Sequence, residues 1–102
     1  MYTLDVTAAA ESDLDRITDY IGDRLANPTA ALALLDEIER VSDSIRTDPN
    51  LFPLCFDPRL AELGYHKAVV RAYIMVYEID KATNTVRVLR AFHSSEDYQR
   101  KL

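Results

Sequence analysis

Apolar residues keep two rhythms along this chain, a spacing of three and four up to residue 45 and a spacing of two from residue 66 onward. Ahead of both, Met1–Val6 (MYTLDV) puts Tyr2, Leu4 and Val6 on one side of a short strand. Thr7 then stands where a hydroxyl caps a helix, with Glu11 in a first turn whose dipole favours a carboxylate. Ala10, Leu14, Ile17, Ile21 and Leu25 follow at helical spacing, so the pattern predicts one amphipathic helix from Ala8 to Leu25. Ala26-Asn27-Pro28 breaks it and starts the next, because Asn27 can cap and Pro28 at the first helical position misses no amide donor. Ala31, Leu34, Ile38, Val41 and Ile45 form the second stripe, widened by Leu35. The short connection predicts an antiparallel helical hairpin.

Thr47–Gly64 (TDPNLFPLCFDPRLAELG) carries three prolines, which interrupt regular structure except for one turn over Pro58–Leu63. Leu51, Phe52, Leu54 and Phe56 are expected to plug the end of the core there. His66–Arg71, Tyr73–Asp80 and Thr85–His93 are rich in Val, Ile, Tyr and Phe and read as strands. Asp80–Asn84 suits a hairpin turn, whereas Arg71-Ala72 offers no Gly, Asn or Asp to mark one. Ser94 or Ser95 is expected to cap a last short helix through Glu96, Asp97 and Tyr98, ending in Arg100 and Lys101. The order gives an α+β fold in one domain over residues 1–102: an N-terminal strand, the helical hairpin, then a three-stranded antiparallel meander. One sheet face covers the helices and the other is left free. Strict alternation turns Tyr73, Met75, Tyr77 and Ile79 toward the helices and sets Arg87, Leu89, Ala91 and His93 against Val86, Val88, Arg90 and Phe92.

Composition narrows the functional classes. No apolar stretch approaches the ~20 residues of a membrane span, and MYTLDV lacks the features of a signal peptide, so a cytoplasmic protein with no membrane partner is expected. Cys55 is alone and only His66 and His93 accompany it, which implies neither disulfide, metal nor cofactor. Two glycines cannot make a glycine-rich phosphate loop. A net charge of −5 argues against indiscriminate nucleic-acid binding. The charge is uneven: four basic and twelve acidic side chains in residues 1–57 leave −8, and eight basic and five acidic in residues 58–102 leave +3. The acidic first helices suit a partner that carries Lys and Arg.

The two histidines are the side chains whose ordinary pKa lies near neutrality, so either could move a proton during cleavage of an RNA phosphodiester. His93 is preferred because it ends a strand beside arginines. Lys67, Arg71, Arg87 or Arg90 could stabilise charge on the phosphate, and Tyr98 could stack on a base or donate to phosphate. The same residues also fit a plainer reading, in which His93 caps a strand end and the cations line a solvated face.

With that order of elements, the phrases FPLCFDPRLAELGYHKAVVRAYIMVYEID and VRVLRAFHSSEDY resemble the RelE/ParE superfamily of toxins from bacterial toxin–antitoxin modules, over nearly the whole length. The most specific parts are the tyrosine-flanked YIMVY strand and the closing strand that runs into His93, followed by Asp97 and Tyr98. The resemblance implies a helical hairpin on an antiparallel sheet and a partner antitoxin whose C-terminal segment wraps the toxin. RelE-like members cut messenger RNA on the ribosome without a metal, some with a histidine at the position of His93, here assisted by Arg71 and Arg90 and bound through Lys67, Arg87 and Tyr98. Cleavage of mRNA is the first expectation from this resemblance; the alternatives are a ParE-like, non-enzymatic inhibitor of DNA gyrase and a degenerate toxin that retains only antitoxin binding. The RNA-cleaving branch carries an arginine where this chain has Ile74, and it is strongly basic where this chain is acidic.

Overall fold

The computed structural model describes the whole chain, Met1–Leu102. Strand β1 (Thr3–Val6) leads into helix α1 (Ala8–Asp19), and Thr7 joins them. The Thr7 Oγ accepts the Ala10 amide at 3.1 Å and donates to the Leu89 carbonyl at 2.9 Å, so one side chain caps the helix and ties it to the sheet. Helix α1 is shorter than the predicted Ala8–Leu25. From Tyr20 to Arg24 the backbone widens into a π-type turn, with the Leu25 amide bonded to the Tyr20 carbonyl at 3.0 Å. The wider turn rotates Leu25 off the apolar stripe, and it ends 55% exposed.

Helix α2 (Pro28–Thr47) begins as expected, with the Asn27 side chain accepting the Ala30 amide at 3.1 Å and Pro28 in the first turn. Ala31, Leu34, Ile38 and Ile45 are buried with Ala10 and Ile17 of α1 and Ile21 of the π-type turn. Leu35, expected to widen that stripe, faces solvent instead. A short helix α3 (Pro58–Glu62) follows, capped by Asp57 at 2.9 and 3.3 Å.

Strands β2 (His66–Val70), β3 (Tyr73–Asp80) and β4 (Thr85–His93) complete one sheet in the order β1-β4-β3-β2, antiparallel except for the β1–β4 pair. The Arg71-Ala72 turn is a two-residue hairpin in which Arg71 takes φ +56°, a conformation usually left to Gly or Asn. Asp80 supplies the other turn, its carboxylate accepting the Ala82 and Thr83 amides.

Tyr73, Met75, Tyr77 and Ile79 do face the helices. Strand β4 departs from strict alternation: Val76 pairs with Arg90 but Tyr77 pairs with Val88, so Leu89 is an extra, bulged residue. Val86, Val88 and Ala91 therefore share the helix-facing core, while Leu89 packs with Phe92 on the other side. Leu89 and Ala91 had been expected on one face; the added residue shifts the parity.

The second sheet face is covered, not free. Cys55, Leu60, Ile74, Val76, Phe92 and Tyr98 form a small core there. The proline-rich segment folds back through Cys55 N–H to the Tyr65 carbonyl (2.8 Å) and Lys67 N–H to the Pro53 carbonyl (3.0 Å). Only Phe52 of the four expected plugs packs on the main core; Leu51, Leu54 and Phe56 are exposed. The chain ends in a 3₁₀ turn over Tyr98–Lys101 with no side-chain cap, held by Arg59, which donates to the Gln99 carbonyl at 2.7 Å and the Leu102 carbonyl at 3.4 Å. No helix is long and apolar enough to cross a membrane.

Candidate functional site

Strand β1 ends at Val6, opposite Val88, so the outer edge of β4 beyond that point has no strand beside it. Helix α1 closes this edge with Asp13. Its carboxylate, 2% exposed, accepts the Ala91 amide at 2.9 Å, Arg90 Nε at 2.6 Å and Nη2 at 3.1 Å, and Arg16 Nη2 at 3.2 Å. Burial alone would push the Asp13 carboxyl up, but the Arg90, Ala91 and Arg16 donors together outweigh it and hold the group below its ordinary value. Arg90 also lies over the Phe92 ring, 4.9 Å from its centroid.

With α1 fixed at Asp13, the next turn places Arg16, Ile17 and Tyr20 opposite Tyr73, His93 and Glu96, around a cleft of about 280 Å³. The His93 ring meets Tyr73 edge to face, at 5.3 Å and 88°. Its Nδ1 accepts the Ser95 amide at 3.1 Å and lies 2.7 Å from the Ser95 hydroxyl, which donates to it. A ring that accepts at Nδ1 carries its proton on Nε2 when neutral. The His93 backbone amide donates to Glu96 at 3.0 Å. Glu96 is held below its ordinary value chiefly by Lys101, 2.6 Å away, and then by that amide.

The other residues singled out from the sequence are dispersed. Arg71 sits at the hairpin tip next to Tyr73, which pairs with His93, and the Ser94 amide bonds the Ala72 carbonyl at 2.8 Å; Arg71 thus shares the sheet end with His93. Neither Arg71 nor Lys67 has a carboxylate within ion-pair distance. Lys67 pairs in register with Val76, farther along the sheet. Arg87 lies at the opposite end of β4, donating to Asp5 at 3.2 Å and Glu78 at 2.9 Å. Tyr98 is buried and stacked on Phe92 at 5.9 Å. His66 is buried, with Nδ1–H donating to the Phe52 carbonyl at 2.8 Å and its ring stacked on Tyr77. Arg16, Tyr20, Tyr73 and Glu96 had no assigned role; the one available signal was that Arg16 is the sole cation among residues 8–19.

The family model for the ParE toxin of type II toxin–antitoxin system, parDE, matches residues 4–98. The chain belongs to the ParE toxin family. Its fold is similar to that of a structure from a chromosomal ParDE toxin–antitoxin system of P. aeruginosa, with 20% identity and a TM-score of 0.71 over 91% of this chain and 96% of that one. It is also similar to a structure from the toxin–antitoxin complex RelBE2 of Mycobacterium tuberculosis, with 22% identity and a TM-score of 0.62 over 90% of this chain and 96% of that one. No curated protein matches the chain. In this ParE-family toxin both arginines of β4, Arg87 and Arg90, are engaged by carboxylates of other elements. Around His93 of this toxin, Arg16 is the cation that lines the cleft, with 60% of its side chain exposed.

Proposed function

We propose that this type II toxin arrests growth by holding a target protein, DNA gyrase as its likeness to the ParE branch implies, and that a cognate antitoxin neutralises it. The observation that carries this reading is the engagement of Arg87 and Arg90 by Asp5, Glu78 and Asp13. A phosphoryl transition state is stabilised by donors that stand ready where charge develops. Arginines whose forks are filled by carboxylates would first have to break those pairs. The aliphatic Ile74 is turned into the second core and adds no cation. The ParDE and RelBE2 systems of the two similar structures support an antitoxin partner.

A second reading, metal-independent cleavage of mRNA on the ribosome, draws on one specific arrangement: His93 and Arg16 line the same cleft, with Arg71 at the same end of the sheet. There His93 would move the proton and Arg16 or Arg71 would meet the phosphate. Purified protein in a gyrase supercoiling assay, together with a map of RNA ends from cells expressing the chain, separates the two. Contact inhibition gives loss of supercoiling that His93→Gln leaves unchanged, with no codon-level cleavage. Cleavage that disappears in His93→Gln, with supercoiling intact, would establish the second reading and remove the first.

A further inference from the structure

Arg16 and Glu96 both line the cleft beside His93, yet each is paired elsewhere, Arg16 with Asp13 and Glu96 with Lys101. They are near enough to feel each other, because Arg16 adds to the pull by which Lys101 and then the His93 amide hold the Glu96 carboxyl below its ordinary value. Neither group is filled by its partner. Of the Arg16 guanidinium only Nη2 meets Asp13, at 3.2 Å. Each Glu96 oxygen accepts one donor, the His93 amide at 3.0 Å or Lys101 Nζ at 2.6 Å, where a carboxylate has room for about four. The cleft thus carries a separated pair of opposite charges. Its walls are aromatic: Tyr20 and Tyr73 line it over Ile17, and the His93 ring stands edge-on to Tyr73. Burial chiefly, and then the nearby Tyr20 phenol, push the Tyr73 hydroxyl above its ordinary value, so the two tyrosines approach each other at their polar ends. Tyr20 is 49% exposed and opens the π-type turn, an irregularity that recurs at functional sites. At about 280 Å³ the cleft lies at the small end of ligand sites, which run roughly 300–1,000 Å³. One ring with a short polar head suits that volume. Net charge is limited as well: Arg16 also borders Asp19 and Asp23 in the shallower cleft next door, so an anion approaching it meets their repulsion whereas a zwitterion does not.

We propose that this cleft binds a free aromatic α-amino acid, with its carboxylate on Arg16, its ammonium on Glu96 and its ring against Tyr20 and Tyr73 over Ile17. The inference goes beyond the toxin reading and does not depend on the target. Arg16, Ile17 and Tyr20 come from the first helix and its π-type turn, and Tyr73, His93 and Glu96 come from one end of the sheet, so the bound amino acid joins the two layers. A ligand that holds only the folded chain stabilises it by mass action.

The test titrates the full chain with four probes, followed by amide shifts and by thermal unfolding: L-tryptophan, N-acetyl-L-tryptophan, L-tryptophan amide and L-leucine. The two blocked forms each lack one charge and also imitate the C-terminus and the N-terminus of a peptide, so they separate a free amino acid from a chain end. The expected result is saturable binding of L-tryptophan, with shifts confined to the surroundings of Arg16, Tyr20, Tyr73, His93 and Glu96 and a thermal midpoint that rises with its concentration. Each of the other probes binds at least about tenfold more weakly, the loss of one charge-assisted hydrogen bond or of the ring. Arg16→Gln removes the preference for tryptophan over its amide, and Glu96→Gln removes the preference over the N-acetyl form. The probe series is read on the parent chain, so it stands even where a variant fails to fold. Equal binding of either blocked form or of leucine, absence of saturable binding at millimolar tryptophan, or shifts on another face overturns the proposal. So does uridine monophosphate that occupies the same residues more tightly than tryptophan. Growth arrest is scored separately: a chain that binds tryptophan but does not slow cells removes the toxin reading and leaves the amino-acid site intact.

Discussion

Asp13 is the residue through which the helical layer grips the sheet, since three partners, the Ala91 amide, Arg90 and Arg16, converge on one buried carboxylate. Removing one member of a buried, hydrogen-bonded pair strands the rest, so Asp13→Ala is expected to cost about 3 kcal/mol, measured by urea unfolding. The pH dependence follows from its depressed pKa. A carboxylate held below its unfolded value stabilises fully above the unfolded range, and that contribution is lost as pH falls through the folded value. The parent should therefore lose more stability than Asp13→Ala as pH drops below about 4, which paired unfolding curves would check. Tyr77 offers a second test. Burial chiefly pushes its phenol up to about 12, and its hydroxyl donates to the Pro49 carbonyl at 2.7 Å. Tyr77→Phe leaves that carbonyl unpaired and should cost about 1–2 kcal/mol by the same measurement. Neither role was legible in the sequence. Asp13 and Asp15 are the same residue type two places apart on one helix, and what separates them is a strand 77 residues later. His93, by contrast, was singled out by residue type and position, as a proton carrier or as a strand-end cap, and its ring accepts the Ser95 amide.

At the scale of elements, periodicity located the helical hairpin and all three meander strands, because the apolar spacing that defines each is also what it buries. The misses are places where one residue is added to the repeat. The π turn after Asp19 moves Leu25 to the surface, and the Leu89 bulge changes the parity of β4, neither of which a fixed period can express. The Arg71-Ala72 turn escaped for the opposite reason, since it uses a residue that turn chemistry disfavours. A non-glycine side chain in the left-handed region costs roughly 1–2 kcal/mol, and glycine gives back about 0.5–1 kcal/mol through the freer unfolded chain. Arg71→Gly should therefore stabilise by roughly 0.5–1 kcal/mol, read from the urea midpoint. If the guanidinium meets the target, the same variant should arrest growth less although it is more stable, and Arg71→Lys should recover part of the effect. A stabilised variant with full toxicity would confine Arg71 to the turn.

Over the whole molecule the uneven charge follows the order of elements: the acidic half builds β1, α1 and α2, and the basic half builds α3, the meander and the C-terminal turn. The covering of the second sheet face was not legible, because the proline-rich segment and the C-terminal turn have no period and their packing is fixed by tertiary contacts such as Arg59 to Gln99. The parallel pairing of β1 with β4 joins the two ends of the chain, with Thr3 opposite Thr85. A fragment of residues 1–84 lacks the strand that β1, Thr7 and Asp13 all require. It should show neither the dispersed amide spectrum nor the cooperative unfolding of the parent. The same pairing sets a clock on synthesis. Everything made first waits for what is made last, so the nascent chain stays unfinished until β4 has left the ribosome. Each newly made molecule thus spends an interval in which its helices exist and its toxic form does not, and an antitoxin already present in the cell has that interval in which to reach it.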